Sequence, residues 1–398
     1  MATFDFDRVI ERRGTNCLKY EFAAERGKPQ DVLPLWVADM DFPAPPAVQE
    51  AIHRMADHGI FGYSEVKGEY YRAAATWFER RYGWRPEQPW LVKTPGVVVA
   101  LAMGVRALTD PGDAVLLTPP VYYPFFQVIS DNGRRVVESE LIYRNGRYDI
   151  DFDDFERKIV RENVKLFLLC SPHNPIGRVW TREELERIGR ICKEHGVYVV
   201  SDEVHCDFAF QEHPHTPLLQ AAPELAQRAV VCTAPSKTFN LAGLQISNNW
   251  IPGEDTRRRF QRAIDACGYS QHNAVGLVAC QAAYEGGEKW FEQCRAYLRG
   301  NLDFFRQTLK ERLPELKLVE PDGTYFAWVD CSGLGLSQRE LDDLILHEAK
   351  LWLDAGHIFG GNGGQFQRFV LACPRSTLAQ ALSQLEHAVA AHRARKPV

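Results

Sequence analysis

Short runs of apolar residues alternate with longer stretches of mixed apolar and polar residues through the middle of the chain. Continuous apolar runs of this length are typical of strands that are buried on both faces of a sheet. Residues 182–195 place their apolar side chains at helical spacing just ahead of one such run. The pattern therefore predicts an α/β fold, in which helices cover a mostly parallel sheet. The four clearest strand candidates are AVLLT at 114–118, LFLLC at 166–170, VYVVS at 197–201 and VVCT at 230–233.

Both ends of the chain depart from this pattern. The first residues are irregular and end in the proline-rich DFPAPP, which favours an extended arm with a helix opening at Pro46. A long amphipathic helix at 288–313 precedes the segments YFAWVDC and QRFVLAC, with a helix around 338–350 between them and a final helix after them. We expect three parts, which are an arm at 1–45 that contributes to the small domain, a large domain at 46–287 and a small α+β domain at 288–398.

The composition is that of an ordinary globular protein. Of 398 residues, 45% are hydrophobic and 25% are charged, and the net charge of −5 comes without any block of Lys or Arg. A nucleic-acid partner is therefore not expected. The segment 1–13 carries charges where a secretory signal has its apolar core, and no apolar run reaches the ~20 residues that cross a bilayer. Because the ten cysteines form no CxxC pair, we expect a cytoplasmic protein with reduced thiols and small-molecule partners.

Polar side chains follow three of the predicted strands. Asn174 lies in SPHNPIG, Asp202 comes directly after VYVVS, and Lys237 lies in APSK after VVCT. Since the carboxyl ends of parallel strands face the ligand crevice, these three side chains should lie together. Pyridoxal-5′-phosphate (PLP) needs a lysine that forms a Schiff base, an acid that keeps the pyridine nitrogen protonated, and a neutral donor to its phenolic oxygen. Lys237, Asp202 and Asn174 match these needs in that order.

The segment TPGVVVALAMGVRAL offers a site for the phosphate. A Pro-Gly turn leads into an apolar helix, and the first N–H groups, those of Gly96, Val97 and Val98, would point outward to an anion. Ser236 or Thr233 would add a hydroxyl group. Taken singly, each of these features has an ordinary explanation as a turn, a helix cap or a surface lysine. Their ordered combination is what indicates a PLP site.

SPHNPIG, VVSDEVH and APSKTFNLAG, in this order and spacing, resemble the fold-type-I PLP enzymes of the class I/II aminotransferase superfamily. Further motifs are similar to those of the MalY/PatB type of cystathionine β-lyase. The resemblance implies the PLP-dependent transferase fold of type I, with PLP bound by the large domain. The motifs of the second group are PLWVADMDFPAP at 34–45, GIFGYS at 59–64, PPVYYPF at 119–125, GHIFGGNGGQFQRF at 356–369 and LACPRS at 371–376.

The same resemblance implies roles for further residues. Tyr122 would stack on the cofactor ring, and Arg368 would bind the substrate α-carboxylate with its bidentate guanidinium. Arg375 is the nearest competitor, but it is expected to begin a helix. Tyr63 would reach the phosphate bound in the neighbouring subunit, which implies a homodimer with shared active sites. The implied cofactor-binding residues are Tyr63, Gly96, Val97, Val98, Tyr122, Asn174, Asp202, His205, Thr233, Ser236 and Lys237, and the implied substrate-binding residues are Ala38, Tyr122, Asn174 and Arg368.

Three positions depart from the wider superfamily. Ala234 stands where a phosphate-binding Ser is common, and Gln245 stands where an Arg is common. His205 occupies a position that aminotransferases often give to Tyr, and it would be either a donor to a cofactor-binding side chain or a packed residue. The phosphate charge would be less fully neutralised, so other donors are expected to compensate.

The implied reaction begins when Lys237 removes the Cα proton of an amino-acid substrate. If the substrate carries sulfur on Cβ, elimination gives a thiol, pyruvate and ammonia. Return of the proton to the cofactor gives transamination instead, and the residues alone do not separate these outcomes. The resemblance favours β-elimination from L-cystathionine or a related cysteine S-conjugate, with a class I/II aminotransferase as the alternative.

Two other readings have little support in the sequence. One relative of this type is a regulatory partner of a transcription factor, but no feature here indicates such a role. His213 and His215 flank a proline without a nearby cysteine or acidic cluster, so no metal site is expected.

Overall fold

A seven-stranded sheet forms the centre of the computed structural model, which describes residues 3–395. The strands are β1 Leu91–Thr94, β2 Ala114–Leu117, β3 Arg135–Glu138, β4 Val164–Cys170, β5 Tyr198–Asp202, β6 Ala229–Thr233 and β7 Ser247–Trp250. Their order across the sheet is β1-β7-β6-β5-β4-β2-β3, and neighbouring strands are parallel except that β7 runs antiparallel to both of its neighbours. The predicted mostly parallel sheet is confirmed, and the four apolar runs correspond to β2, β4, β5 and β6.

Helices pack on both faces of this sheet because its strands are apolar on both sides. In β6, Val231 belongs to the core that includes Trp77, whereas Val230 and Cys232 belong to a second core that includes Phe260. The helices in this part of the chain are α1 Pro46–His58, α2 Gly68–Tyr82, α3 Val97–Leu108, α4 Pro124–Ser130, α5 Phe152–Arg161, α6 Arg182–Glu194, α7 Glu254–Ala266 and α8 Ala274–Gly286. The predicted helix at 182–195 is α6, and Pro46 opens α1 as expected.

The C-terminal part contains a four-stranded antiparallel sheet in the order β8-β9-β11-β10. The helix predicted around 338–350 is an α-helix only to Asp343, and it continues as wider π-helical turns to Glu348. Lys350 then takes φ +52°, because the chain must turn sharply into the following strand. The elements are α9 Glu288–Arg312, β8 Lys317–Val319, β9 Phe326–Asp330, α10 Gln338–Asp343, β10 Asp354–Ala355, β11 Phe366–Val370 and α11 Arg375–Arg395.

The N-terminal arm is more ordered than the sequence predicts. Leu33–Pro34 pairs in parallel with Leu351–Trp352, and Trp36 stacks on Trp352 with ring centroids 4.3 Å apart. Single helical turns at Leu18–Glu21 and Ala24–Arg26 precede this pairing. The arm is thereby attached to the C-terminal part, while the boundaries at 45 and 287 stay predictions.

The helix α9 connects two hydrophobic cores. Its first half contributes Trp290 and Phe291 to the core beside the large sheet, and its second half contributes Phe305 and Leu309 to the core of the C-terminal part. Among residues 3–395, no helix has both the length and the apolarity needed to span a bilayer. The ten cysteines are free, and all except Cys267 are buried.

Candidate active site

A cavity opens beyond the carboxyl ends of β4, β5 and β6. The space between its walls, open solvent at its mouth included, is about 800 Å³. Chain topology brings these residues together, because parallel strands end at the same edge of the sheet. The lining residues are Ala38, Pro95, Gly96, Val97, Val98, Val99, Tyr122, Cys170, Asn174, Asp202, Val204, His205, Ser236, Lys237, Ala242 and Gln245.

Lys237 lies on a single helical turn, Pro235–Thr238, that follows β6 directly. Its Nζ donates a hydrogen bond of 2.9 Å to the carbonyl oxygen of Ala38. The next side chain anchors the turn, since the Thr238 hydroxyl donates to Asp207 at 2.6 Å. The lysine is therefore held at the cavity wall by the strand before it and by a buried carboxylate below it.

Burial decides the protonation of the lysine. Burial, together with the nearby Arg368, lowers the pKa of Lys237 to about 8, against the opposing effect of the carboxylates of Asp39 and Asp202. An ordinary lysine is almost fully protonated at neutral pH. Lys237 instead has a usable fraction of neutral amine, which is the form that acts as nucleophile or base.

Asp202 ends β5 inside the cavity. Its Oδ1 accepts a hydrogen bond of 3.1 Å from the N–H of Val204, and its other oxygen has no hydrogen-bond partner among residues 3–395. Burial raises the pKa of Asp202 to about 7, against the lowering by the Val204 N–H and by Lys237. A protonated pyridine nitrogen fits this free oxygen, because a cation in contact with it would favour the ionised carboxylate.

The pKa of Asp202 leads to a prediction about the protein without cofactor. Because this pKa is raised from 3.8 to about 7, the group stabilises the fold fully below its unfolded pKa, and that contribution is lost as pH rises through 7. We therefore compare the free energy of unfolding of Asp202→Asn with that of the wild type. Between pH 4 and pH 8 the variant should gain on the order of 2–4 kcal/mol over the wild type, and it should be the more stable protein at pH 8. Denaturant unfolding at both pH values measures this. Asp255→Asn, at an exposed position on α7, serves as the control, and an equal stability difference at both pH values would contradict the assignment.

The N-terminus of α3 forms one end of the cavity. Gly96 is its N-cap with φ +92°, a conformation that favours glycine. The N–H of Gly96 donates to the carbonyl of Thr94 at 2.8 Å while Gly96 itself lines the cavity, and its role toward an anion stays a prediction. Val97 and Val98 belong to the first turn, where N–H groups have no acceptor within the helix. Both residues line the cavity, and their N–H groups are suited to a phosphate.

The two predicted hydroxyl groups have different surroundings. Thr233 is fully buried, and its Oγ1 donates to the carbonyl of Asn248 and accepts from the indole N–H of Trp250. The prediction that Thr233 supplies a phosphate donor is therefore wrong, because its hydroxyl is already bonded to β7. Ser236 lines the cavity, as does Gln245, which occupies the position common to an Arg in the superfamily.

Arg368 is buried beside the cavity in a network of polar contacts. Its Nη1 donates to Oδ1 of Asn174 at 2.7 Å, and its Nη2 donates to the carbonyl of Trp36 at 2.8 Å and to the carboxylate of Asp354. The rings of Phe326 and Phe359 lie 4.6 Å and 5.1 Å from the guanidinium carbon. The Nε–H has no hydrogen-bond partner among residues 3–395, and a buried donor without an acceptor is costly. The guanidinium is thus positioned with a donor still to be satisfied, as binding of a carboxylate requires.

The side chains of Tyr122 and His205 complete the cavity wall. The Tyr122 ring lies 5.4 Å from that of Tyr123, and burial raises the pKa of its hydroxyl. His205 packs edge-on against Tyr325 and Phe326, and burial lowers its pKa well below the usual range. His205 is therefore neutral at physiological pH, and its ring is both packed and exposed to the cavity.

Other residues singled out in the sequence lie outside the cavity. Arg375 begins α11, where its Nε donates to Asn301. Tyr63 is 93% exposed on the loop after α1 and does not line the cavity of its own chain. His215 bonds the buried Glu203, whereas His213 lies near a different carboxylate, that of Asp322.

Sequence reasoning missed three groups that shape the site. Asp354 and the Trp36 carbonyl hold Arg368, and Tyr325 donates to the same Ala38 carbonyl that accepts from Lys237, at 2.9 Å. Trp36 and Ala38 lie in the motif at 34–45, but both act through backbone carbonyls, whose contacts a motif does not reveal. The signal that could have found Asp354 is its position directly after the apolar residues 351–353, where an acidic side chain needs a partner.

Most of the chain is similar to one family of known proteins. Residues 30–385 match the sequence pattern of the family described as aminotransferase class I and II. The chain belongs to this family. The sequence-based assignment to the class I/II aminotransferases is therefore confirmed, and so is the fold.

Similar proteins include lyases and a protein described as an aminotransferase. Cystathionine β-lyase PatB of Bacillus subtilis is 41% identical over 385 residues, which cover 97% of this chain and 100% of the relative. A PLP-bound putative aminotransferase structure from Clostridium difficile has a TM-score of 0.95 and 38% identity, covering 97% of this chain and 100% of its own. Cystalysin from Treponema denticola, which contains PLP, has a TM-score of 0.94 and 34% identity, covering 98% and 100%. The predicted resemblance to PatB-type lyases is confirmed.

Proposed function

We propose that the protein is a PLP-dependent carbon–sulfur β-lyase that cleaves L-cystathionine or related cysteine S-conjugates. The observation that carries this proposal is the 2.7 Å bond between Arg368 and Asn174, at the cavity that also holds Lys237 and Asp202. A carboxylate-binding cation, a basic amine and an acid for a ring nitrogen are the groups this chemistry needs. The name of the PatB relative supports the lyase reaction in particular.

Different residues of the cavity would bind different parts of the cofactor. Asp202 would hold the ring nitrogen in its protonated form, and Tyr122 would cover one face of the ring. Asn174 uses its Oδ1 for Arg368, which leaves its amide N–H groups free to donate to the phenolic oxygen. At the other end, Val97 and Val98 would bind the phosphate through their N–H groups. Bound PLP supplies an acceptor for the electrons that remain at the substrate Cα after its proton is removed.

The remaining steps belong to residues of this chain. Arg368 would bind the substrate α-carboxylate and thereby orient the substrate with its Cα–H toward Lys237. The Nζ of Lys237 would take that proton, since its lowered pKa leaves neutral amine available. The bond from Cβ to sulfur then breaks, the sulfur leaves as a thiolate that is protonated, and the three-carbon fragment is hydrolysed to pyruvate and ammonia. The apolar cavity wall would exclude water until the product leaves.

The test supplies L-cystathionine to the PLP-loaded protein without any keto acid. We expect sustained release of pyruvate and thiol in equal amounts over many turnovers. A lyase needs no acceptor, whereas an aminotransferase stops after one turnover without one. Turnover that continues only when a keto acid is added would contradict the proposal and favour the aminotransferase, which the name of the Clostridium difficile protein also supports.

We propose that the protein works as a homodimer in which Tyr63 reaches the partner's phosphate. Ile60, Phe61 and Tyr63 are 70%, 67% and 93% exposed, an unusual concentration of bare apolar surface on one loop. The cavity beside this loop shares Pro95 and Gln245 with the active-site cavity, so the loop lies close to the phosphate end. The molar mass of the protein in solution tests this proposal, since a monomer would contradict it.

We also propose that the protein is located in the cytoplasm and that it is divided into two domains. The ten free cysteines fit the reducing conditions of the cytoplasm. We propose that residues 46–287 bind the cofactor and that residues 288–398, joined by the arm at 1–45, form the small domain.

A further inference from the structure

A second cleft lies between the N-terminal arm and the C-terminal part. With open solvent at its mouth, the space in it is about 900 Å³. No role has yet been given to it. Its lining residues are Arg26, Lys28, Trp36, Tyr123, Asp342, Ile345, Leu346, Leu351, Trp352, Leu353, Asp354, Ala355, His357, Ile358 and Gln367.

One wall of the cleft contains two stacked and largely buried tryptophans, with one cation over the ring of Trp36. Trp36 and Trp352 stack with ring planes 12° apart, and the guanidinium carbon of Arg26 lies 5.3 Å from the Trp36 ring. Lys28 adds a second positive charge. Neither Arg26 nor Lys28 lies within 4.0 Å of a carboxylate oxygen among residues 3–395. This side is therefore suited to a carboxylate on an aliphatic chain.

The cleft also contains a carboxylate that could receive a cation. Asp342 accepts from the side chain of Gln367 at 3.1 Å and lies 3.6 Å from a ring nitrogen of His357. Its side chain is 33% exposed, so a ligand can reach it. The two positive charges and this negative charge together match a zwitterion.

Arg368, which lies beside the active-site cavity, contacts two residues that line the cleft. The carbonyl of Trp36 accepts from Arg368, while the ring of Trp36 lies under Arg26. Asp354 lines the cleft and pairs with the same guanidinium. Trp36 thus contacts both Arg368, which would bind the substrate α-carboxylate, and Arg26, a cation of the cleft.

We propose that this cleft binds the end of the substrate remote from the reacting Cα, and that this end carries a carboxylate and an ammonium group. The inference rests on the proposed function. The thiol half of cystathionine ends in such an amino-acid group, whose carboxylate would meet Arg26 and Lys28 and whose ammonium would meet Asp342. Arg26 and Lys28 thereby select thioethers with a charged leaving half over those with a small alkyl group.

Binding measurements test this without any turnover. The ligand is 2,7-diaminosuberate, in which a methylene replaces the sulfur of cystathionine, so no C–S bond can break. The comparison ligand is L-2-aminobutyrate, which has the α-amino-acid end and lacks the remote end. In titration calorimetry of the PLP-loaded protein, Arg26→Gln with Lys28→Gln should weaken diaminosuberate binding about 3- to 10-fold. Aminobutyrate binding should stay within about twofold.

The controls separate this inference from the function on which it rests. Arg8→Gln changes an exposed arginine of the same arm outside the cleft and should leave both affinities within about twofold. Equal weakening of both ligands, or no weakening of either, would overturn the inference. Rates with cystathionine and with S-methyl-L-cysteine give a second readout, in which the double variant should lose kcat/KM for cystathionine alone. If the wild type cleaves neither thioether, the proposed function fails, while the calorimetry still decides whether the cleft binds the remote end.

Discussion

Lys237→Ala is expected to abolish the covalent attachment of PLP and to lower the turnover of cystathionine by about 10³-fold or more. The lysine would hold the aldehyde of the cofactor and take the Cα proton, and within residues 3–395 the active-site cavity has no other lysine in its wall. Borohydride reduction of the loaded wild type should fix the cofactor on this side chain, as peptide mass spectrometry would show. The variant should show no such adduct.

Lys310→Ala is a suitable control because Lys310 is exposed on α9, outside the residues that line the cavity. It should keep both the adduct and the rate. An adduct on a different lysine, or full activity of Lys237→Ala, would remove the basis of the proposed function. The absorbance of the bound cofactor would show separately whether the variant still binds PLP without the covalent bond.

Arg368→Met combined with Asp354→Asn is expected to raise the KM for amino-acid substrates about 100-fold. Hydrogen bonds to a charged group contribute about 1.5–3 kcal/mol each, and each 1.4 kcal/mol corresponds to about tenfold in affinity. Asp354 is changed as well because Arg368→Met alone would leave a buried carboxylate without its cation, which costs about 3–5 kcal/mol of stability. Initial rates over a range of cystathionine concentrations measure the effect.

Asp354→Asn alone is the matched control. It keeps the guanidinium of Arg368 and the 2.7 Å bond to Asn174, so KM should rise clearly less than in the double variant, while the loss of one partner of this buried ion pair lowers stability. If the double variant keeps the wild-type KM, Arg368 does not bind the substrate carboxylate. If the control loses as much as the double variant, the loss comes from the ion pair and not from the guanidinium.

Much of the fold could be predicted because the strands of the large sheet are apolar on both faces. Each of β2, β4, β5 and β6 contains a short continuous apolar run, which few other structures require. The arm was harder to predict, since the pairing of Leu33–Pro34 with Leu351–Trp352 joins residues more than 300 positions apart. Neither segment carries a local pattern that reveals its partner.

The candidate site could be predicted where a residue type and a strand end coincide. Asn174, Asp202 and Lys237 follow this rule, and all three line the cavity. Thr233 shows where it fails, because its hydroxyl donates to the carbonyl of Asn248 on the neighbouring strand. Which partner a backbone N–H or a hydroxyl chooses depends on torsion angles and neighbouring strands, which the residue type does not specify.

The burial of the cysteines has a consequence for an enzyme whose product is itself a thiol. Nine of the ten cysteines are buried, and burial raises the pKa of those nearest the site, Cys170 and Cys232, well above its usual range. Mixed-disulfide exchange needs an accessible thiolate. If an external oxidant converts the released thiol to its disulfide, exchange is favoured at the exposed Cys267 and disfavoured at Cys170 in the cavity wall, where burial keeps the thiol protonated.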